Sequence, residues 1–146
     1  MSQNVQGLKS QSRLDELFHI VKTRNILAAC VQETWRCGFE IIEHDNCRLI
    51  TVGLDVNNQS RRGSQGVGIV LSAEGTESWK AAGSVVHQDF GARVLAVRML
   101  LRDVRERDVG VYLVSAYAPV GNADDQVWDE YFDNLDSCIA RKPQNG

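Results

Sequence analysis

Ile26-Leu27-Ala28-Ala29-Cys30-Val31-Gln32-Glu33-Thr34-Trp35 is an apolar run that gives way to a carboxylate. The apolar run from Ile26 is bounded by polar residues, and it reads as a buried strand over Ile26 to Gln32 with Glu33 at its end. Just upstream, Leu14, Leu17, Phe18 and Val21 recur at i, i+3, i+4 and i+7, so the pattern predicts an amphipathic helix over Ser12 to Thr23. Ser12 and Asp15 are expected to form its capping pair. Before that helix, Asn4-Val5-Gln6-Gly7-Leu8 places an asparagine where a first strand would end. Strand, helix, strand is a β-α-β unit, and the fold class read from it is α/β.

Downstream the pattern changes. Phe39 to Ile42, Leu49 to Leu54, Val67 to Leu71, Ser84 to Phe90, Val94 to Leu101 and Val109 to Tyr117 are short β-prone runs. Turn signals separate them at Asp45-Asn46, Asn57-Asn58, Glu74-Gly75 and Asp108-Val109-Gly110, so antiparallel or mixed pairing is expected. Arg102, Arg105 and Arg107 alternate with Asp103, Glu106 and Asp108, the pattern of a salt-bridged exposed turn. From Ala123 to Ala140, Val127, Trp128, Tyr131, Phe132, Leu135 and Ile139 form an apolar stripe with acidic residues mostly off it. That pattern predicts an amphipathic helix packed on a sheet.

At 146 residues the chain is long enough for one domain with a core of its own, and no internal repeat divides it. A hydrophobic share of 43% with 24% charged residues excludes disorder by composition. The net charge of −3 argues against binding nucleic acid by bulk charge, while leaving room for a local basic patch. Cys30, Cys37, Cys47 and Cys138 make no C-x-x-C pair and no zinc spacing with a histidine, so reduced thiols are expected. Met1 to Lys9 has no apolar signal-peptide core, and no apolar run reaches the roughly 20 residues a bilayer requires. An intracellular protein, nuclear or cytoplasmic and neither secreted nor membrane-bound, is therefore expected. Both ends read as cut, with no strand-length apolar run before Asn4 and a turn-like Arg141-Lys142-Pro143 near the close.

Three polar residues stand at the ends of apolar runs: Asn4, Glu33 and, in Ser115-Ala116-Tyr117-Ala118-Pro119, Tyr117. Open α/β sheets bind ligands at the strands' C-terminal edge, so the three are candidates for one site. Glu33 is a candidate ligand for a hard cation such as Mg²⁺, which takes oxygen donors and needs only one or two carboxylates. Asn4 can bond a phosphate oxygen or orient the carboxylate, and Tyr117 can set its phenol against an oxygen that gains charge in a transition state. Each also has a plainer role: Glu33 as a surface residue, Asn4 as a turn residue before Gly7, Tyr117 as a half-buried ring beside Pro119.

In this order the three motifs resemble the first signatures of the endonuclease/exonuclease/phosphatase family of magnesium-dependent phosphodiesterases. The wording is closest to the apurinic-endonuclease-like domain of non-LTR retrotransposons. Gly63-Ser64-Gln65-Gly66-Val67-Gly68-Ile69-Val70 resembles that family's Gly-rich strand entry and Arg93-Val94-Leu95-Ala96-Val97-Arg98 its central strand, so the likeness spans Asn4 to about Ala140. The resemblance implies the N-terminal portion of a four-layer α/β sandwich, two mixed sheets with outer helices, as a single truncated domain over residues 1–146. It implies Asn4, Glu33 and Tyr117 as catalytic residues, Glu33 as metal ligand and Mg²⁺ as cofactor, with Mn²⁺ as a substitute. DNA is the partner implied for the full domain, with a reverse transcriptase domain on the parent polypeptide.

The family's later Gly-Asp-x-Asn and Ser-Asp-His segments do not occur here. Phosphodiester hydrolysis needs an activated water and help for the leaving oxygen. His19, His44 and His87 are poorly placed substitutes, on a helix, in a turn and inside a strand-like run. The chain alone is therefore expected to be inactive, or to be a non-catalytic decayed or domesticated retroelement protein that acts as a binding module. For nucleic-acid contacts, Arg61 and Arg62 can meet a backbone phosphate, and Trp35 or Trp79 can stack on a base. Solvated arginines and core tryptophans are the plainer reading.

Overall fold

Side-chain alternation along strands sorts the apolar residues of this chain into separate cores. The computed structural model describes residues 2–4, 8, 10–54 and 66–143. In chain order the elements are β1 (Ser2–Asn4), α1 (Gln11–Thr23), β2 (Ala28–Gln32), β3 (Phe39–His44), β4 (Cys47–Val52), β5 (Val67–Leu71), α2 (Ala73–Ala81), β6 (Val86–His87), β7 (Val94–Arg102), β8 (Asp108–Ala116) and α3 (Asp125–Ala140). One sheet has the order β1-β2-β5-β4-β3 and the other β6-β7-β8. β1 runs parallel to β2 and every other pairing is antiparallel. This is an α/β fold.

In β2, β4 and β5, Ala29, Val31, Leu49 and Val70 point to α1, where Leu14, Leu17, Phe18 and Val21 meet them. The opposite faces, with Cys30, Ile50, Ile69 and Leu71, meet Leu95, Val97 and Met99 of β7 in a core between the sheets. The outer face of β7 and β8, with Val94, Ala96 and Tyr112, carries Tyr131 and Cys138 of α3. The α1 side chains show which force dominates. Its four buried residues contribute about 6–12 kcal/mol at roughly 1.5–3 each, against about 1 kcal/mol for a cap.

The cap itself is Ser10, whose Oγ accepts from the Arg13 N–H at 3.3 Å. The expected Ser12 and Asp15 pair is not the cap: both lie inside the helix, and Asp15 accepts from Gln11. Asp45 and Asn46 take φ of 47° and 68°, the left-handed pair that a two-residue hairpin turn between β3 and β4 requires. The Arg102–Asp108 run is the exposed turn expected. Asp103 accepts from the Arg105 and Arg107 N–H groups at 2.8 and 2.9 Å and from the Arg107 guanidinium, which together hold its carboxyl below the ordinary range. The turn falls there and not at Asp108-Val109-Gly110, which pairs within β8.

Three further expectations are corrected. Glu74-Gly75 is not a turn but the first turn of α2, capped by Ser72 Oγ on the Gly75 N–H at 3.0 Å. Gly75 is required there by proximity, since a Cβ would stand 2.2 Å from the Leu27 carbonyl oxygen. The strand over Ser84 to Phe90 shrinks to Val86–His87, with Ser84 left-handed at φ 55°. On α3, Tyr131 and Cys138 are the buried residues, while Val127, Phe132 and Ile139 of the expected stripe are exposed, so the stripe is wider than the sheet it covers. The Asn57-Asn58 turn lies outside the described residues. All four cysteines are free, and no helix among the described residues is long and apolar enough to cross a membrane.

Candidate active site

The two sheets are joined by a hydrogen bond from Ser115 Oγ to the Val31 carbonyl, at 3.4 Å. Two residues beyond Ser115 the Tyr117 side chain points the same way as the serine. Glu33 stands just past the end of β2, and its hydroxyl partner is Tyr117, which donates to Glu33 Oε1 at 2.7 Å. Alternation places Tyr117, but not Glu33: Val31 faces α1, and Glu33 leaves that pattern at a left-handed φ of 53°. β1 runs beside β2 with Asn4 opposite Gln32, so the backbone of Asn4 arrives one residue from Glu33. The geometry brings together the main chain of Asn4 and the side chains of Glu33 and Tyr117.

The chain turns sharply once it has delivered Glu33. Glu33 and Trp35 have φ of 53° and 58°, left-handed values that cost a non-glycine residue on the order of 1 kcal/mol each. Neighbours hold the turn in place. Thr34 is fully buried, its N–H donates to the Gly66 carbonyl at 3.3 Å, and its own carbonyl accepts from the Leu8 N–H at 2.7 Å. Arg36 reaches the Leu8 carbonyl at 2.6 Å and forms an ion pair with Glu40. Gly66 has no freedom to carry a side chain, because its φ is 111° and a Cβ would lie 2.5 Å from Thr34 Oγ1.

Arg93 is the site residue that the sequence pattern did not single out as functional. The Tyr117 N–H continues the β7–β8 ladder to the Arg93 carbonyl at 2.9 Å, so the two residues are neighbours by pairing. The Arg93 guanidinium lies 5.5 Å from the centre of the Tyr117 ring, and its Nη1 donates to the Tyr117 and Ala118 carbonyls at 3.3 Å each. Tyr117 is therefore held on one side by a cation and at its tip by a carboxylate. The Glu33 hydrogen bond pushes the phenol's pKa upward, burial and the Glu33 charge add to it, and Arg93 opposes it. The signal that could have found Arg93 is its register opposite the Tyr-Ala-Pro segment.

Glu33 fits a magnesium ion of the one-carboxylate kind. Its Oε1 is taken by Tyr117, while Oε2 has no hydrogen-bond partner among the described residues. Mg²⁺ keeps most of its waters and completes its shell with phosphate oxygens, so one protein carboxylate is enough. A cage of three or more His, Cys, Asp or Glu does not occur among the described residues.

The other candidates are dispersed. Arg61 and Arg62 lie outside the described residues. Trp79 is a core residue, not a stacking platform: it is 5% exposed between the sheets and its Nε1 donates to the Val85 carbonyl at 3.1 Å. Trp35 is half-buried, with its indole nitrogen enclosed. His44 stacks on Phe18 at 5.0 Å, and His87 Nδ1 meets the Tyr112 hydroxyl at 2.7 Å, each away from Glu33. Compared with models of known protein families and with curated proteins, the chain matches none.

Proposed function

We propose that this chain is the N-terminal portion of a magnesium-dependent phosphodiesterase of the endonuclease/exonuclease/phosphatase kind, from a retroelement-type endonuclease that nicks DNA, and that it is inactive alone. The observation that carries the reading is the 2.7 Å contact of Tyr117 with Glu33 at the sheet edge where Asn4 arrives. The cores on both faces of each sheet support the four-layer sandwich expected for that family. In this reading Glu33 holds the metal, Tyr117 presents its hydroxyl to a phosphoryl oxygen, and Asn4 orients one or the other. The metal, when bound, supplies positive charge to the phosphoryl oxygens. Arg93 fixes the Tyr117 ring and adds a positive charge beside it.

Among the described residues no histidine contact is made with Glu33 or Tyr117 for proton transfer to the attacking water or the leaving oxygen: His19 lies on α1, His44 stacks on Phe18 and His87 meets Tyr112. That favours inactivity of the isolated chain over full catalysis. It also favours the second reading, a non-catalytic binding module of decayed or domesticated retroelement origin. Incubation with supercoiled DNA and Mg²⁺ is expected to give no nicking, while calorimetry is expected to find Mg²⁺ binding that Glu33→Ala abolishes. Nicking that disappears in Glu33→Ala would overturn the inactivity, and Mg²⁺ binding unchanged in Glu33→Ala would overturn the metal site.

A further inference from the structure

A second opening lies beside Tyr117. A cavity of about 220 Å³ separates the start of β7 from α3, bordered by Leu54, Phe90, Arg93, Glu130, Tyr131 and Asn134. Its floor is apolar, since Phe90 and Tyr131 are each 8% exposed and belong to the core under α3. Its rim is polar. Glu130 and Asn134 stand one helical turn apart on α3, and among the described residues neither side chain has a hydrogen-bond partner. Gly91, at φ 79°, lets the facing loop approach closely, and a Cβ there would meet Asn134 Nδ2 at 3.4 Å.

The chemistry of these groups selects the ligand. A carboxylate offers only acceptors, and an amide offers a donor and an acceptor side by side. Together they match a planar ring that presents an exocyclic amine next to a ring nitrogen, the pattern an amide reads on adenine. A phosphate is a poor occupant, because Glu130 has Asp129 and Asp133 for neighbours on α3. Arg93 joins this cavity to the proposed catalytic corner, bordering the cavity while packing on the Tyr117 ring.

We propose that the cavity is a nucleobase subsite that takes adenine, read by Asn134 and Glu130, with the attached phosphate lying toward Arg93 and Tyr117. The base subsite stands on its own geometry; the placement of the phosphate rests on the phosphodiesterase reading.

The test is a set of titrations of the full chain, followed by amide NMR. Adenosine, which carries no phosphate, should shift Gly91, Glu130 and Asn134, including the Asn134 side-chain amide. Inosine, whose amine is replaced by a carbonyl, should bind about tenfold more weakly, and Asn134→Ala and Glu130→Gln should each weaken adenosine about tenfold. Glu130 is exposed and Asn134 partly exposed, and circular dichroism would confirm that the variants fold. Adenosine and inosine binding alike, adenosine shifts absent from these residues at millimolar concentration, or indifference to both substitutions would overturn the subsite. Adenosine monophosphate separates the two proposals. Tighter binding than adenosine that needs both Mg²⁺ and Glu33 supports the joined site; binding equal to adenosine overturns the phosphate assignment and leaves the base subsite standing.

Discussion

Tyr117→Phe removes one hydroxyl and leaves the ring on which Arg93 packs, so it isolates the bond to Glu33. That bond is 2.7 Å long and has a carboxylate acceptor. Hydrogen bonds to charged groups contribute about 1.5–3 kcal/mol net when well buried. Here both partners are half-buried, so water reaches the carboxylate released by the substitution. The lower end applies, and the expected loss of unfolding free energy is about 1–1.5 kcal/mol. Glu33→Ala should forfeit the same bond, and the double variant should show a coupling of about 1 kcal/mol, since each change removes the partner of the other. Urea unfolding followed by tryptophan fluorescence measures the cycle. Ultraviolet titration of the tyrosines adds an independent reading, because Glu33→Ala should bring the Tyr117 phenol down toward its ordinary value. A coupling under about 0.3 kcal/mol, with unchanged tyrosine titration, would refute the pairing as an energetic feature of the fold.

Alkaline pH should weaken the protein through the same residue. A folded-state pKa raised above the ordinary 10.0 contributes stability that is complete below the unfolded value and is lost as pH rises through the folded value. Unfolding free energy should therefore fall above about pH 10, and Tyr117→Phe should flatten part of that fall; an identical alkaline profile would contradict it. Gly75→Ala sets helix propensity, a gain of about 1 kcal/mol, against overpacking, a loss of about 1–3 kcal/mol. With the Cβ 2.2 Å from the Leu27 oxygen the loss should win, and a raised urea midpoint would show that α2 moves freely away from Leu27. Trp79→Ala should cost about 3–5 kcal/mol by emptying part of the core between the sheets. A cost under about 1 kcal/mol in urea unfolding would place that indole at the surface after all.

Much of this architecture is legible in the chain because strands end where their apolar runs end. Glu33 directly follows the apolar run of β2, and Tyr117 follows Ser115 by two residues on the same side of its strand, so both reach one edge; the direction of the Glu33 side chain depends on the left-handed turn at φ 53°. The hairpin at Asp45-Asn46 is legible for a local reason, since both residues tolerate a positive φ. The rest depends on neighbours far away in sequence. Gly75 resembles a turn residue because its need for a small side chain comes from Leu27, a contact that local patterning does not contain. Trp79 is open in sequence to stacking or to a place in the core, and only the packing of α2 against the sheets puts it in the core between them. Arg93 sits at the start of an apolar strand, and only the pairing of β7 with β8 reveals that it faces Tyr117. The α3 stripe misleads in the opposite sense, since Phe132 and Ile139 follow helical periodicity yet stay exposed. Periodicity fixes which face of a helix is apolar, but the width of the surface beneath decides how much of it is covered.

The proposed site holds a divalent cation at Glu33, beside Tyr117. Substoichiometric Mn²⁺ added to the isotopically labelled chain tests it residue by residue, because the paramagnetic ion broadens only nearby amide signals. Broadening is predicted at Gln32, Glu33, Thr34 and Tyr117, and it should vanish in Glu33→Ala. Broadening centred on the acidic surface of α3, at Asp125, Asp129, Asp133 and Asp136, or a pattern unchanged in Glu33→Ala, would contradict it.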